Sequence, residues 1–284
     1  MSKHRGFIRL ESRDDERVVQ LPAEEIGTLI FDTPAATVTT QALVSICTHG
    51  GTVLLVDEGH SPTCVLIPYY QNARSLATAK IQLSTPLPVK KQIWKRIVVA
   101  KIMNQMRCME SFGLDGSELG RIASRVRSGD TTNCEAQAAR AYFDSLISEG
   151  DRWCSEYTVA LNYGYAVLRS IVAQAVASRG WIPSIGIHHR SEQNPFNLVD
   201  DLIEPFRPVV DSIVFGYCIT ILGPDEKRLL TGCHELTMEV DDIRTNVRAA
   251  ISMFVDSFRD AMEEGKPELL KNPIFTLEAC RSQI

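Results

Sequence analysis

The sequence predicts an α+β protein in which a small N-terminal β-rich domain precedes a larger, all-α domain. Three observations predict it. Between Arg17 and Pro68, short β-rich runs (VVQL, TLIF, TVTT, GGTVLLVDEGH, TCVLIP) alternate with turn residues. The stretch LSTPLPVKK then brings in two prolines and ends that patterning. From Val89 onward the apolar residues recur at helical spacing, beginning with Ile93, Ile97 and Ala100. The expected boundaries are 1–75 for the β-rich domain, 76–88 for a linker and 89–284 for the helical domain.

In the first domain, Gly50-Gly51 precedes the continuous apolar strand Val53–Val56, and Asp57-Glu58-Gly59 is a turn cluster. Ala42, Leu43, Ile46 and Cys47 form an apolar stripe, which predicts a helix over Thr40–Thr48. His49 and His60 sit beside turns with no carboxylate pattern near them, and read as surface or hydrogen-bonded histidines. In the second domain the helical runs are 89–111, 115–128, 134–148, 155–178, 195–217 and 241–264. Gly164, inside the apolar run YTVALNYGYAVL, costs about 1 kcal/mol against Ala, which points to close packing. Asn162 in the same run is the expected polar member of a buried network.

Composition bounds the function. The 284 residues are 44% hydrophobic and 23% charged, the values of a globular chain. No apolar run reaches membrane-spanning length and no signal-peptide pattern opens the chain, so no membrane partner is expected. Eight scattered cysteines without a CxxC read as free thiols of a reducing cytoplasm rather than a zinc cluster. A net charge of −5 argues against non-specific coating of nucleic acid, so any DNA contact must come from local basic tracks.

Two such tracks exist. VKKQIWKRIVVAKIMNQ sets Lys90, Lys91, Lys95, Arg96 and Lys101 around Trp94. These cations are either phosphate contacts or the solvated face of an amphipathic helix. Arg121, Arg125 and Arg127 follow, with Arg121 and Arg125 on one helical face. Glu135 then opens an Ala-rich helix, and Thr132-x-x-Glu135 has the form of a capping box, in which the glutamate serves only backbone amides.

The densest stretch is GIHHRSEQNPFNLVDDLIEPFRP, residues 186–208. Asp200 and Asp201 are spaced four and three residues before Glu204, so on a helix the three carboxylates share a face. With the adjacent His188 and His189 they form a ligand set suited to Mn²⁺ or Mg²⁺; an ordinary solvated acidic helix is the alternative. Asn194-Pro195 reads as a helix start and Pro205 as a kink that aims Glu204 inward. Arg207 follows as a phosphate clamp or a salt-bridge partner for Asp211.

NCEAQAARAYF, ALNYGYAVL and GIHHRSEQNPFNLVDDLIEPFRPVVD, in this order and spacing, closely resemble the CRISPR-associated adaptation integrases, the "Cas-one" family. IWKRIVVAKIMNQ and the β-rich start support it, and the resemblance covers essentially residues 17–275. It implies an N-terminal β-domain joined to a helical catalytic domain with Glu135, His189 and Glu204 as catalytic metal ligands and Asp201 as an accompanying acid. Thr158 departs from the family, many of whose members carry Asn ahead of the NYGY helix. The DLIEPFRP wording looks most like members from type II systems.

The resemblance further implies a metal-dependent DNA endonuclease and integrase using Mg²⁺ or Mn²⁺. Such a protein inserts short duplexes (prespacers) into a CRISPR repeat array by attack of a 3′-hydroxyl, a phosphodiester transesterification. Its implied partners are double-stranded DNA, a second copy in a homodimer, the small "Cas-two" subunit and, in some systems, the large RNA-guided effector nuclease. Its expected place is the prokaryotic cytoplasm. Arg121, Arg125, Arg127, Lys90, Lys91, Lys95, Arg96 and Arg207 are the expected DNA contacts. A catalytically silent DNA-capturing scaffold and a general nuclease of DNA repair are the rival readings.

Overall fold

The computed structural model describes residues 1–12, 17–33, 35–58, 62–69, 75–147 and 155–276; His60 and Gly59 lie outside them. The N-terminal unit holds two small sheets. Strands β1 (Ser2–His4), β2 (Phe7–Glu11) and β3 (Val18–Pro22) form an antiparallel meander. In the second sheet, β4 (Thr28–Phe31) runs parallel to β5 (Thr52–Val56), and α1 (Thr40–Thr48) makes the crossover at the predicted bounds. Strand β6 (Pro62–Leu66) returns antiparallel to β5. A small core of Ile8, Ala42, Ile46 and Val53 closes the unit.

The stretch expected as a linker instead carries helix α2 (Ser75–Ser84). It is docked on the helical domain. The Gln82 side chain donates to Ile182 O (2.9 Å) and accepts from Ile182 N (3.0 Å), while Thr78 Oγ1 donates to Arg179 O. The two prolines follow it: Pro86 precedes α3 (Leu87–Ser111) and Pro88 lies in its first turn, where a missing amide is harmless.

Helix α3 is the axis of the second domain. Its 25 residues span about 37 Å, and Ile93, Trp94, Ile97, Val98 and Ile102 are buried along it. Around it pack α4 (Ser117–Ser124), α5 (Cys134–Leu146), α7 (Asn197–Ile203) and α8 (Arg207–Gly216), and α6 (Ser155–Ser178) packs in turn on α7 and α8. The predicted run 195–217 is broken where Pro205 was expected to break it: a 3₁₀ turn, Glu204–Phe206, separates α7 from α8. Gly164 on α6 faces Val210 of α8, and a Cβ there would collide with the valine, which confirms the close packing expected of it. Asn162, by contrast, is exposed and belongs to no buried network.

Helix α9 (Pro224–Thr231) was not signalled by the helical period. Nor was the three-stranded antiparallel sheet of β7 (Thr237–Val240), β8 (Ile243–Asn246) and β9 (Pro273–Phe275) inside this mostly helical domain. The β7–β8 turn is Asp241-Asp242, both at positive φ (55° and 63°), the backbone that a two-residue hairpin requires. Helix α10 (Val247–Glu264) therefore starts six residues later than 241, with the Asn246 side chain accepting from Ala249 N. The two units are joined by polar contacts: Gln174, itself held by Arg248 Nη1 (3.0 Å) within the helical domain, donates to Gly50 O, and Lys227 pairs with Asp32 (2.5 Å). Among the described residues no helix is long and apolar enough to cross a membrane.

Candidate active site

Glu135 stands in the first turn of α5. The capping box expected there does not form: Thr132 Oγ1 meets Cys134 Sγ instead, and Asn133 gives no side-chain cap. The cap is Asp130. Its two carboxylate oxygens accept Cys134 N and Glu135 N, each at 2.9 Å, from a turn in which Gly129 and Asp130 both take positive φ. An anion on the first amides of a helix also meets the positive end of its dipole. With its amide served by Asp130, the Glu135 side chain is released to reach Lys101 of α3, Oε1 to Nζ 2.7 Å.

Lys101 is 9% exposed and its ammonium touches a second carboxylate, Glu204 Oε2, at 2.5 Å. Burial alone lowers its pKa, but the charges of Glu204 and Glu135 outweigh that and hold it above the ordinary lysine value. Glu204 is 4% exposed. Burial raises its pKa, yet Lys101 and Arg207 outweigh burial and hold it below the usual carboxylate range. The turn carrying it is pinned by Asn104 of α3, whose Nδ2 donates to Pro205 O (2.8 Å) and Pro273 O (3.0 Å).

The three clustered carboxylates do not share one face, which corrects the sequence expectation. Asp200 turns away to Arg169 (2.6 and 2.7 Å) and Asn194. The reason is a competing cation: the Arg169 guanidinium takes both Asp200 oxygens and holds that carboxylate toward α6. Asp201 turns instead to the histidine loop.

Asp201 is fully buried and organises the histidine loop. Its Oδ2 accepts Ile187 N (2.6 Å) and His188 N (3.1 Å), and its Oδ1 accepts His189 N (3.0 Å). Oδ1 also lies 2.7 Å from His189 Nδ1. A carboxylate partner makes Nδ1 the protonated nitrogen and leaves the lone pair on Nε2, the state in which histidine binds a metal. A Cβ on Gly186 would strike both His189 O and the Asp201 carboxylate, so only glycine permits this closure. The hydrogen bond to Asp201, against burial, raises the His189 pKa, and Glu204 and Glu135 are near enough to add to it. His188 takes another role: its ring stacks on Trp94 (centroids 4.2 Å, planes 4° apart), and burial lowers its pKa. The two adjacent imidazoles, of which the resemblance singled out His189, thus have different surroundings.

The expected DNA contacts separate into two groups. Arg121 of α4, Arg125 just past its end, Arg127 and Lys91 are exposed, and Lys95 is half-buried. The others are engaged internally. Lys90 Nζ donates to Gln82 O (2.7 Å), Arg96 Nη2 donates to Leu270 O (3.2 Å), and Arg207 Nε donates to Glu204 Oε1 (2.9 Å) with its guanidinium 4.7 Å over the Tyr165 ring. Arg207 does not pair with Asp211, which is buried and accepts both Tyr142 OH (3.1 Å) and Tyr165 OH.

Sequence reasoning missed Lys101 and Asp130 as parts of this site. Lys101 did carry a signal, since it falls on the apolar stripe of α3 four residues after Ile97, where a solvated lysine has no place. The donor chemistry fits a hard divalent ion: two carboxylates converge on one cation position, and a lone-pair imidazole nitrogen is held nearby. Glu204 Oε2 is buried and, beyond its ion contact with Lys101, has no hydrogen-bond donor. In the described residues, however, no three His, Cys, Asp or Glu side chains close on a common point, and the ammonium of Lys101 lies between the two carboxylates.

A β-rich unit docked on a helical domain of this arrangement is the fold of the casposases and Cas1 proteins. A casposase bound to integration product superposes with a TM-score of 0.74 at 16% identity, covering 91% of this chain and 85% of that one. A Cas1 protein from Thermotoga maritima does so at 0.74 and 16% identity, over 92% and 93% of the two chains. The family model for CRISPR associated protein Cas1 matches residues 1–149 and 156–220, and the chain belongs to that family. It is 38% identical to the CRISPR-associated endonuclease Cas1 of Neisseria meningitidis over 96% of its own length and 92% of the relative's.

Proposed function

We propose that the protein is a CRISPR adaptation integrase, a metal-dependent DNA endonuclease and transesterase that joins the 3′-hydroxyl ends of short duplexes to a repeat array. The observation that carries this reading is the convergence of Glu135 and Glu204 on one buried cation position, on the same side of the fold as a His189 that Asp201 orients. Family membership supports the endonuclease class, and the casposase neighbour is bound to an integration product.

Glu135, His189 and Glu204 would hold Mg²⁺ or Mn²⁺. The ion, when bound, lowers the pKa of an attacking hydroxyl and neutralises charge that develops on the phosphate oxygens. The protein's own groups prepare the site. Asp201 fixes the tautomer and direction of His189, Asp130 fixes the start of α5 and with it Glu135, and Arg207 neutralises the outer oxygen of Glu204. Arg121, Arg125, Arg127, Lys91 and Lys95 are the proposed contacts to DNA phosphates. Lys90, Arg96 and Arg207 reach DNA only by giving up their present partners.

Joining both ends of a duplex needs two sites at a fixed separation, which a homodimer supplies. Phe7, Val18, Val19 and Leu21 of the first sheet are exposed apolar residues suited to such an interface. A solved neighbour with a TM-score of 0.69 and 16% identity, of which this chain spans 35%, is part of a Cas6-RT-Cas1–Cas2 complex, which supports a Cas2-type partner. An RNA-guided effector nuclease as a further partner and a cytoplasmic location complete the reading.

Strand transfer tests it. The protein and its small partner are mixed with a labelled short duplex and a supercoiled plasmid carrying the repeat, in Mn²⁺, Mg²⁺ or EDTA, with His189→Ala alongside. Metal- and His189-dependent joining of label to plasmid is expected. Duplex binding without joining would assign the silent scaffold, and cleavage without joining the general nuclease.

A further inference from the structure

Lys101 occupies the point on which the two carboxylates converge. Its ammonium is 2.7 Å from Glu135 Oε1 and 2.5 Å from Glu204 Oε2, and its side chain is 11% exposed. Two carboxylates held this close in a buried site repel each other strongly unless a cation lies between them. Without Lys101, the metal-free site would hold that repulsion uncompensated at Glu135, because Arg207 reaches only Glu204. The cation position therefore has two claimants, one built into α3 and one from solution.

We infer that Lys101 is a resident counter-ion that keeps the Glu135–Glu204 pair assembled when no metal is bound and competes with the divalent ion for it. The inference rests on the assignment of Glu135 and Glu204 as metal ligands. Metal entry requires the ammonium to leave the line between the two carboxylates. Lysine suits that exchange: its charge sits at the end of a flexible four-carbon stem that can swing while α3 stays in place, unlike the planar fork of arginine. The arrangement gives the protein a folded, charge-balanced site before metal arrives, at the expense of metal affinity. It also selects against weakly charged ions, since a monovalent cation replaces the ammonium with no gain in charge, whereas a divalent one brings a second positive charge to two carboxylates.

The test measures binding and stability, with no activity readout. Mn²⁺ affinity is determined by calorimetry for wild type, Lys101→Met and Glu135→Gln, and thermal midpoints are recorded in EDTA and in Mn²⁺. Lys101→Met is expected to bind Mn²⁺ on the order of 10- to 100-fold more tightly, the range over which groups bearing on metal ligands shift affinity. It is also expected to melt lower than wild type in EDTA and to recover in Mn²⁺ by more than wild type does. Glu135→Gln is expected to bind weakly, which ties the signal to this site.

Equal or weaker Mn²⁺ binding by Lys101→Met beside a wild type that binds normally overturns the counter-ion role and leaves the metal assignment standing. No Mn²⁺ binding by either protein overturns both. Binding by Lys101→Met where wild type shows none supports the inference in its strongest form. If Lys101→Met folds only when Mn²⁺ is present, that too supports it. If it folds under neither condition, Lys101→Gln decides, and affinity no tighter than wild type overturns the inference.

Discussion

The two oxygens of Asp130 accept the first two amides of α5, and one of those amides belongs to Glu135 itself. A side chain that caps the helix therefore also sets the position of a candidate ligand one bond away. Asp130→Ala removes both charge-assisted bonds. It should lower stability by about 1–2 kcal/mol, as loss of a helix cap does, and weaken metal binding through a loosened Glu135. Asp130→Asn, which keeps one acceptor, should retain part of both. Chemical denaturation and Mn²⁺ calorimetry on the two variants check this; an Asp130→Ala protein with unchanged stability would show that the amides find solvent at no loss. Asp201 acts on His189 in the same indirect way, through three loop amides and Nδ1. At this scale the sequence was partly legible. The family resemblance singled out His189, Glu204 and Asp201, whereas spacing alone offered His188 beside His189 and Asp200 beside Asp201. Asp130 could not be placed, since its role depends on two consecutive positive-φ residues that no capping pattern encodes.

At the scale of elements, α5, α6 and α8 meet at one buried carboxylate. Asp211 of α8 accepts the hydroxyls of Tyr142 on α5 and Tyr165 on α6. Burial raises its pKa from 3.8 to about 6, against the lowering effect of the two tyrosine hydrogen bonds. A folded-state pKa above the unfolded one means the folded protein binds the proton more tightly. The associated stability is fully present below about pH 4 and is lost as pH rises through about 6. The shift of about two units corresponds to on the order of 3 kcal/mol. Asp211→Asn keeps an acceptor and a donor for the tyrosines without the charge. The stability of wild type minus that of Asp211→Asn should fall between pH 4 and 7, read from denaturant midpoints across that range. A difference that stays level with pH would mean the carboxylate ionises freely where it lies. The elements themselves were well marked where local chemistry fixes them, as at Pro205. They were missed where a period was extended past its support. Helix α9 begins at Gly223-Pro224 and Glu226 closes back on Gly223 N (3.1 Å), a start signal present in the sequence and left unread. The β7–β8 hairpin was hidden because its turn is Asp-Asp rather than a glycine pair.

At the scale of the whole molecule, the proposed function asks an acidic chain to hold a polyanion. Thirty basic against thirty-five acidic residues give no general attraction, so affinity must come from where the basic groups stand. The structure sorts them: Lys90, Arg96, Lys101 and Arg207 are engaged inside the fold, while Arg121, Arg125, Arg127 and Lys91 face solvent around α4 and the start of α3. The exposed set lies on the elements that lead into the Asp130 turn and the start of α5, so under the proposed function a duplex drawn to it would lie along the approach to Glu135. Counterion release makes this countable. Each phosphate neutralised contributes about 0.9 to the slope of log affinity against log salt. Arg121→Ala with Arg125→Ala should therefore reduce that slope by about 2 for each protomer that contacts the duplex, and weaken binding most at low salt, while thermal stability is unchanged because both side chains are exposed. Fluorescence anisotropy with a labelled duplex from about 50 to about 300 mM salt, over which the Debye length falls from about 14 to about 6 Å, reads it directly. A slope equal to wild type would remove α4 from the DNA path and turn attention to Lys91 and Lys95, whose positions on α3 flank Trp94 and the stacked His188.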